Sequence, residues 1–425
     1  MKLGYTNKKI GLIGEKLGHS FSAPIHNELA DYSFTLREVE KDKLEEFMLG
    51  HELDAFCVTI PYKKAVIPYL SYVSPEAKAI GAVNTVVRGE DGKLYGYNTD
   101  YFGFEYMLDS AGIDLKDKSV IILGNGGASL TIHTVAKDRD AASITVIGRA
   151  DNTPENIKNH SDAQIVINAT PVGMYPNNGS SPIDLSLLPC CEAVLDLIYN
   201  PSRTELILEA EKRGIVAASG LSMLVAQAAR GFTHFTGDDY EDGCIERIIQ
   251  KIRKDTTNII LIGMPGCGKS TVGRVLADSL GRPFFDSDSE FERMHGITPA
   301  EAINSLGEEK FRLMENEVLR VLGKKSGAVI ATGGGAVTKE YNYAPLRQNG
   351  VIVFIERELC NLSTKGRPLS LKTSVEELYK KRIDCYRSFA DLTVDSTEIP
   401  EKTAESILNA LDGYDYTCVF NARKK

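Results

Sequence analysis

Short apolar runs alternate along most of the chain with segments whose apolar positions recur every three or four residues. The runs at 10–13, 55–59, 120–123, 144–147, 165–168, 193–197, 258–262, 328–332 and 351–355 read as buried strands. The segment 204–213 is amphipathic, and Gly214 follows it as a left-handed cap. The segment 239–254 is again helical, with Ile245, Ile248, Ile249 and Ile252 on one stripe. Strand and helix patterns in alternation predict α/β architecture with largely parallel sheets. Asp255-Thr256-Thr257 breaks the last helical pattern just before a new apolar strand, so the main domain boundary is expected there. No internal repeat or low-complexity tract is visible.

Composition narrows the class. At roughly 150 residues per domain, 425 residues suggest two or three folding units. Hydrophobic residues at 43% and charged residues at 25% exclude bulk disorder and a small disulfide scaffold. A net charge of −9 argues against a nucleic-acid coat protein, which needs a large cationic face. No apolar run approaches the ~20 residues that cross a bilayer, and the N-terminus lacks the apolar core of a secretion signal. Eight cysteines without CxxC or zinc spacing read as free thiols in a reducing compartment. A cytoplasmic protein acting on small molecules is therefore expected, with neither nucleic acid nor membrane as partner; a homodimer is compatible with this.

Two Gly-rich loops carry the chemistry. Gly263-Met264-Pro265-Gly266-Cys267-Gly268-Lys269-Ser270 fits GxxxxGK[ST] without a mismatch, between an apolar strand and a helical pattern. Its backbone N–H groups suit phosphate oxygens, Lys269 the β- and γ-phosphates of ATP, and Ser270 a Mg²⁺ ion. The expected nucleotide-binding set is Gly263, Gly266, Cys267, Gly268, Lys269, Ser270 and Thr271. In the first half, Gly124, Asn125, Gly126, Gly127 and Ala128 follow the strand at 120–123 and suit a dinucleotide pyrophosphate. After the next strand comes Gly148-Arg149, where an NAD site would place a carboxylate; an arginine attracts a 2′-phosphate, so NADP is favoured.

Polar clusters that a core does not need precede this loop: Ser20-Phe21-Ser22, Val58-Thr59-Ile60-Pro61-Tyr62-Lys63, Gly81-Ala82-Val83-Asn84-Thr85 and Gly96-Tyr97-Asn98-Thr99-Asp100. They form a kit for holding a polyhydroxylated acid and moving a proton. Over roughly residues 5–250 this set resembles shikimate dehydrogenase. The resemblance assigns Ser20, Ser22, Thr59, Asn84, Tyr199 and Gln227 to substrate, Lys63 to catalysis and Asp100 as its partner. It places Asn168, Ala169, Thr170 and Gly220 on the cofactor side. The family's N-R-T phosphate reader is Gly148-Arg149-Ala150 here, and a proline usually next to the second serine is displaced to Pro24.

In the second half, Phe284-Phe285-Asp286-Ser287-Asp288 ends a short strand, and two carboxylates two apart on a strand share a face. One suits Mg²⁺ and the other the proton of an attacking hydroxyl. Residues 256–420 resemble shikimate kinase. The resemblance implies that Asp288 is the base, Asp286 the magnesium-side aspartate, Arg312 and Arg382 carboxylate binders, Gly333, Gly334 and Gly335 pocket lining, and Arg367 the lid arginine. Departures gather late: the 367–382 stretch is short, and the expected R-x-P-x-Y run reads Arg382-Ile383-Asp384-Cys385-Tyr386.

The expected organisation is a split substrate domain (1–100 and 220–254), an inserted Rossmann-like NADP domain (101–219) and a P-loop kinase domain (256–425). The two families imply reduction of 3-dehydroshikimate with NADPH, then phosphorylation of shikimate by ATP. The residues leave open a first site that also accepts quinate or NAD, and a fusion with one silent regulatory half.

Overall fold

The computed structural model describes residues 4–18, 21–362, 375–416 and 419–420. Three sheets succeed one another along the chain. The first comprises Gly4–Gly14 (β1), Asp31–Glu38 (β2), Ala55–Val58 (β3), Tyr72–Val73 (β4), Thr85–Arg88 (β5) and Leu94–Tyr97 (β6), in the order β2-β1-β3-β5-β6-β4. It is mixed: β1 runs parallel to β2 and β3, whereas β5 is antiparallel to β3 and β6. The second contains Ser119–Leu123 (β7), Ser143–Ile147 (β8), Ile165–Asn168 (β9), Ala193–Asp196 (β10) and Val216–Ser219 (β11), all parallel. The third contains Asn258–Ile262 (β12), Phe284–Asp286 (β13), Val329–Ala331 (β14), Gly350–Glu356 (β15) and Leu392–Asp395 (β16), parallel throughout in the order β13-β14-β12-β15-β16.

Every apolar run expected to be a strand is one, but the run at 144–147, expected to be buried, is the edge strand β8, in which only Ile147 is buried. The central strands are buried on both faces, because helices cover each parallel sheet from two sides. The third sheet keeps its own core, with Ile260, Leu261, Ile330, Val353 and Phe354 at its centre. Helices Thr99–Ala111 and Leu221–Thr236 pack on each other between the first two sheets, so closely that a Cβ on Gly103 would meet the Met223 carbonyl at 2.7 Å. The left-handed cap at Gly214 is present, with φ 73°.

Three expectations change. The helix expected over 239–254 begins later and ends later, at Cys244–Thr256, because Gly243 (φ 71°) turns the chain into it and Thr257 is the first extended residue. The strand expected to carry both acidic residues stops at Asp286; Asp286 caps helix Ser287–His295 through Asp288 N–H at 3.0 Å, which puts Asp288 in the first helical turn. The acidic pair is therefore set by a cap, not by strand alternation. Finally, Val419–Phe420 (β17) leaves the third unit and pairs antiparallel with β11, adding a strand to the edge of the second sheet.

Among the described residues no helix is long and apolar enough to cross a membrane. The described cysteines are all free.

Candidate active sites

The first site is assembled where the first two sheets meet. Asn98 caps helix Thr99–Ala111, accepting from Tyr101 N–H at 3.2 Å. That cap fixes Asp100 in the first turn, where the helix dipole favours a carboxylate. Lys63 arrives from the loop after β3 and its Nζ lies 2.5 Å from Asp100 Oδ2, both side chains largely enclosed. Asn84 Oδ1 accepts from Thr99 N–H at 2.7 Å, and Asn84 Nδ2 donates to Thr99 Oγ1 at 3.1 Å. Thr99 Oγ1 in turn donates to Gln227 Oε1 at 3.4 Å. Lys63, Asp100, Asn84 and Gln227 thus form one connected cluster, although they lie up to 164 positions apart in sequence (227 minus 63). The floor beside the pair is uncharged: burial pushes the Cys57 thiol up to about 12 and holds His26, 3.9 Å from that sulfur, down to about 3.

On the opposite wall the Tyr199 ring packs on Phe21 with centroids 5.3 Å apart, next to buried Ser22. Thr59 closes β3 against Gly14. Ser20 and Arg367 lie outside the described residues. Among the cofactor-side residues, Gly126 caps helix Gly127–Asp138 without a side-chain partner, and a Cβ on Gly126 or Gly127 would meet nothing within 4 Å. Open backbone N–H groups at a helix start are what a pyrophosphate requires, so this cradle fits NADP. Gly124 turns the chain into it at φ 104°, followed by Asn125 and Ala128. Arg149 is exposed in the turn after β8, with no hydrogen-bond or ion-pair partner among the described residues.

Two residues expected on the cofactor side also have structural duties. The Asn168 side chain is fully buried: its Nδ2 donates to Asp196 Oδ1 at 3.0 Å and its Oδ1 accepts from Thr170. Asp196 also accepts from Ile198 N–H and from Thr204 Oγ1 at 2.6 Å, and burial pushes its carboxyl up to about 7. Asn168 and Asp196 therefore brace the Ala169–Thr170 loop against the Tyr199 loop from below. Gly220 is demanded by packing, since a Cβ there would overlap the Leu197 carbonyl.

The kinase site lies at the carboxyl ends of the third sheet. Gly268 (φ 97°) starts helix Lys269–Leu280 and leaves its N–H groups uncapped by any side chain. Buried Lys269 donates to its own loop at Gly263 O and Met264 O, 2.9 and 3.0 Å away, where phosphate oxygens would replace those carbonyls. Cys267 is fully buried, whereas Thr271 is exposed one residue past Ser270. Ser270 Oγ donates to Asp286 Oδ2 at 2.5 Å. Two oxygen ligands suit Mg²⁺, which keeps waters and takes its remaining ligands from phosphate. Burial in the cleft, then nearby Asp286, raises the Asp288 carboxyl above its ordinary range, against the pull of Lys269 and Arg312. Water still reaches that side chain in the open cleft, which limits the effect until substrate excludes it.

Arg312 is buried under Gly335, its Nη1 on Glu315 at 2.8 Å and its Nη2 on Glu308 at 3.1 Å; its Nε has no partner. Arg382 Nη1 and the Tyr386 hydroxyl both donate to Gly334 O, and Gly333 N–H donates to Ser287 Oγ at 2.8 Å. Glu315 was not singled out from sequence. Its position three residues after Arg312 on one helix was the available signal, since i,i+3 pairs face each other. Tyr386 was noted only as the end of an altered run. A Cβ on Gly335 would lie 2.6 Å from Arg312 Nη1. Gly335→Ala should therefore displace the guanidinium and lower kinase kcat/KM for shikimate by about 10²-fold, with dehydrogenase kinetics unchanged in the same preparation.

The family model for the shikimate dehydrogenase substrate binding domain matches residues 12–86, and that for shikimate kinase matches residues 265–412. A shikimate dehydrogenase (NADP(+)) of Clostridium perfringens is 36% identical over 270 residues, 58% of this chain and 98% of the relative. One from Caldanaerobacter subterraneus is 36% identical over 60% of this chain and 99% of its own length. Among solved structures, a chorismate mutase/shikimate 5-dehydrogenase fusion protein from Clostridium acetobutylicum superposes with a TM-score of 0.56 at 34% identity, over 58% of this chain and 98% of that one. Shikimate 5-dehydrogenase from Thermus thermophilus, in complex with NADP(H) and shikimate, gives 0.51 at 29% identity, over 57% and 98%. The chain therefore belongs to the shikimate dehydrogenase family and joins to it a shikimate kinase domain, an NADP-dependent oxidoreductase and an ATP-using phosphotransferase in one polypeptide.

Proposed function

We propose that the first half reduces 3-dehydroshikimate to shikimate with NADPH and that the second phosphorylates the 3-hydroxyl of that product. The observation that carries the reading is the enclosed Lys63–Asp100 pair beside an open dinucleotide cradle. NADPH supplies the hydride. Lys63 gives a proton to the carbonyl oxygen as it becomes a hydroxyl, and Asp100 orients the ammonium group. Asn84 and Gln227 hold the sugar-acid ring from the Thr99 side, and Ser22, Thr59, Tyr199 and, by the family resemblance, Ser20 are assigned to the same substrate. Residues 1–100 and 220–254 are assigned to substrate, 101–219 to NADP and 256–425 to the kinase, with β17 reaching back from the last to the second.

In the kinase, ATP supplies the phosphoryl group and Mg²⁺ neutralises phosphate charge. Lys269 and the loop N–H groups hold the phosphates, Ser270 and Asp286 the metal, and Arg312 and Arg382 the substrate carboxylate. Asp288 takes the hydroxyl proton, and Arg367 is assigned to the transferring phosphoryl group. One assay tests the whole reading: 3-dehydroshikimate, NADPH and Mg-ATP should give NADP⁺, ADP and shikimate 3-phosphate in equal amounts. NADPH oxidation without a phosphorylated product would sink it.

The turn after β8 sets the cofactor preference. A charge-assisted contact from Arg149 to a 2′-phosphate is worth roughly 1.5–3 kcal/mol. NADPH should therefore be preferred over NADH, and Arg149→Ala should shrink the preference by about 10- to 100-fold, mainly through KM. Equal kcat/KM for the two cofactors in the unaltered protein would defeat the argument.

A further inference from the structure

The seam between the halves is laid on the loop that carries Tyr199. That loop leaves β10 at Asp196 and enters helix Glu205–Arg213 through its cap, Thr204. Three residues past Tyr199, Ser202 N–H donates to Asn349 Oδ1 at 2.8 Å and Ser202 Oγ to Gln348 O at 2.9 Å. Arg203 N–H donates to Gln348 O at 2.9 Å. The loop that follows Thr170 reaches the same anchor, because Asn178 Nδ2 donates to Gln348 Oε1 at 2.7 Å. Tyr175 N–H joins the two loops by donating to Asn200 O at 3.0 Å.

The anchor itself is firm. Gln348 and Asn349 are buried at the end of a short helix, Tyr343–Arg347, immediately before β15. Asn349 O accepts from Asn258 N–H at 2.8 Å, which ties it to the first residue of β12, the strand that leads into the phosphate loop. Gln348 N–H donates to Ala344 O at 3.0 Å. The dehydrogenase relatives from Clostridium perfringens and Caldanaerobacter subterraneus are spanned almost to their full length by 58–60% of this chain, so the kinase half that carries this anchor lies beyond what they match.

We propose that Gln348 and Asn349, although they belong to the kinase half, are positioning residues for the dehydrogenase, holding the 197–204 loop so that Tyr199 faces the substrate. Loop N–H groups bonded to water have no fixed geometry, whereas two buried acceptors on a sheet end fix both position and orientation. The proposal rests on the reading of Tyr199 as a substrate-side residue.

The test uses the full chain, with shikimate oxidation by NADP⁺ and shikimate phosphorylation by Mg-ATP measured in each preparation. Asn349→Ala should raise the dehydrogenase KM for shikimate by about 5-fold. The KM for NADP⁺ and both kinase constants should stay within about twofold of the unaltered protein. Asn349→Asp keeps the acceptor oxygen and should restore the KM. If Tyr199→Phe is impaired but Asn349→Ala leaves the shikimate KM unchanged, the positioning role is overturned. If Tyr199→Phe is itself without effect, the underlying reading of Tyr199 falls instead. Should Asn349→Ala also lower kinase turnover, Ser202→Ala removes one bond of the seam from the dehydrogenase side; an unchanged shikimate KM there overturns the proposal.

Discussion

Lys63→Ala is expected to lower dehydrogenase turnover by about 10²–10⁴-fold, the usual cost of losing a positioned acid–base group. Lys63 Nζ sits 2.5 Å from Asp100 Oδ2. Asp100 cannot swing away, because the Asn98 cap and the Asn84–Thr99 bonds fix the helix turn that holds it. The neighbouring Cys57 and His26 are uncharged at neutral pH, so neither replaces the positive charge of the Lys63 ammonium group beside Asp100. The loss should fall on kcat, with the KM for NADPH little changed, since the cradle at Gly126–Gly127 lies on another sheet. Kinase kinetics in the same preparation should be unaffected. A fall in dehydrogenase kcat of less than tenfold would reduce Lys63 to a packing residue.

Asp288→Asn is expected to remove shikimate phosphorylation and leave the dehydrogenase untouched. Asparagine keeps the shape and one acceptor but has no charge with which to take the hydroxyl proton. Burial and Asp286 raise the Asp288 carboxyl, moving it toward the range in which a base works best near neutral pH. Its charged neighbours pull in opposite directions: Asp286 favours the protonated carboxyl, and Lys269 and Arg312 favour the carboxylate. The substitution lies in the third sheet's own core unit and away from Gln348 and Asn349, so independent effects are expected at the two sites. Near-normal phosphorylation by the variant would refute the base assignment. Silence of both activities in a folded variant would refute independence of the two sites.

The sequence by itself determined the α/β class, nine strands, eight of them buried, and both phosphate loops. Each of these is written in neighbouring residues: a strand buried on two faces is an apolar run, and a phosphate loop is a fixed spacing of glycines between a strand and a helix. Lys63 and Asp100 were legible because their local runs are distinctive, although their contact is not local. Edge and polar strands such as β2, whose residues face largely outward, left no such trace. The Asp286–Asp288 arrangement was misjudged because a cap and a strand end look alike in three residues. What only the tertiary structure decided are pairings between distant positions. Asn168 with Asp196 under the Ala169–Thr170 loop and Ser202 on Asn349 147 positions away are single hydrogen bonds, and β17 on the edge of β11 is a pairing of only two residues. They repeat with no period, so nothing in the order of the chain marks them; they exist because neighbouring strands and packed units bring polar groups together away from water, where they must find partners.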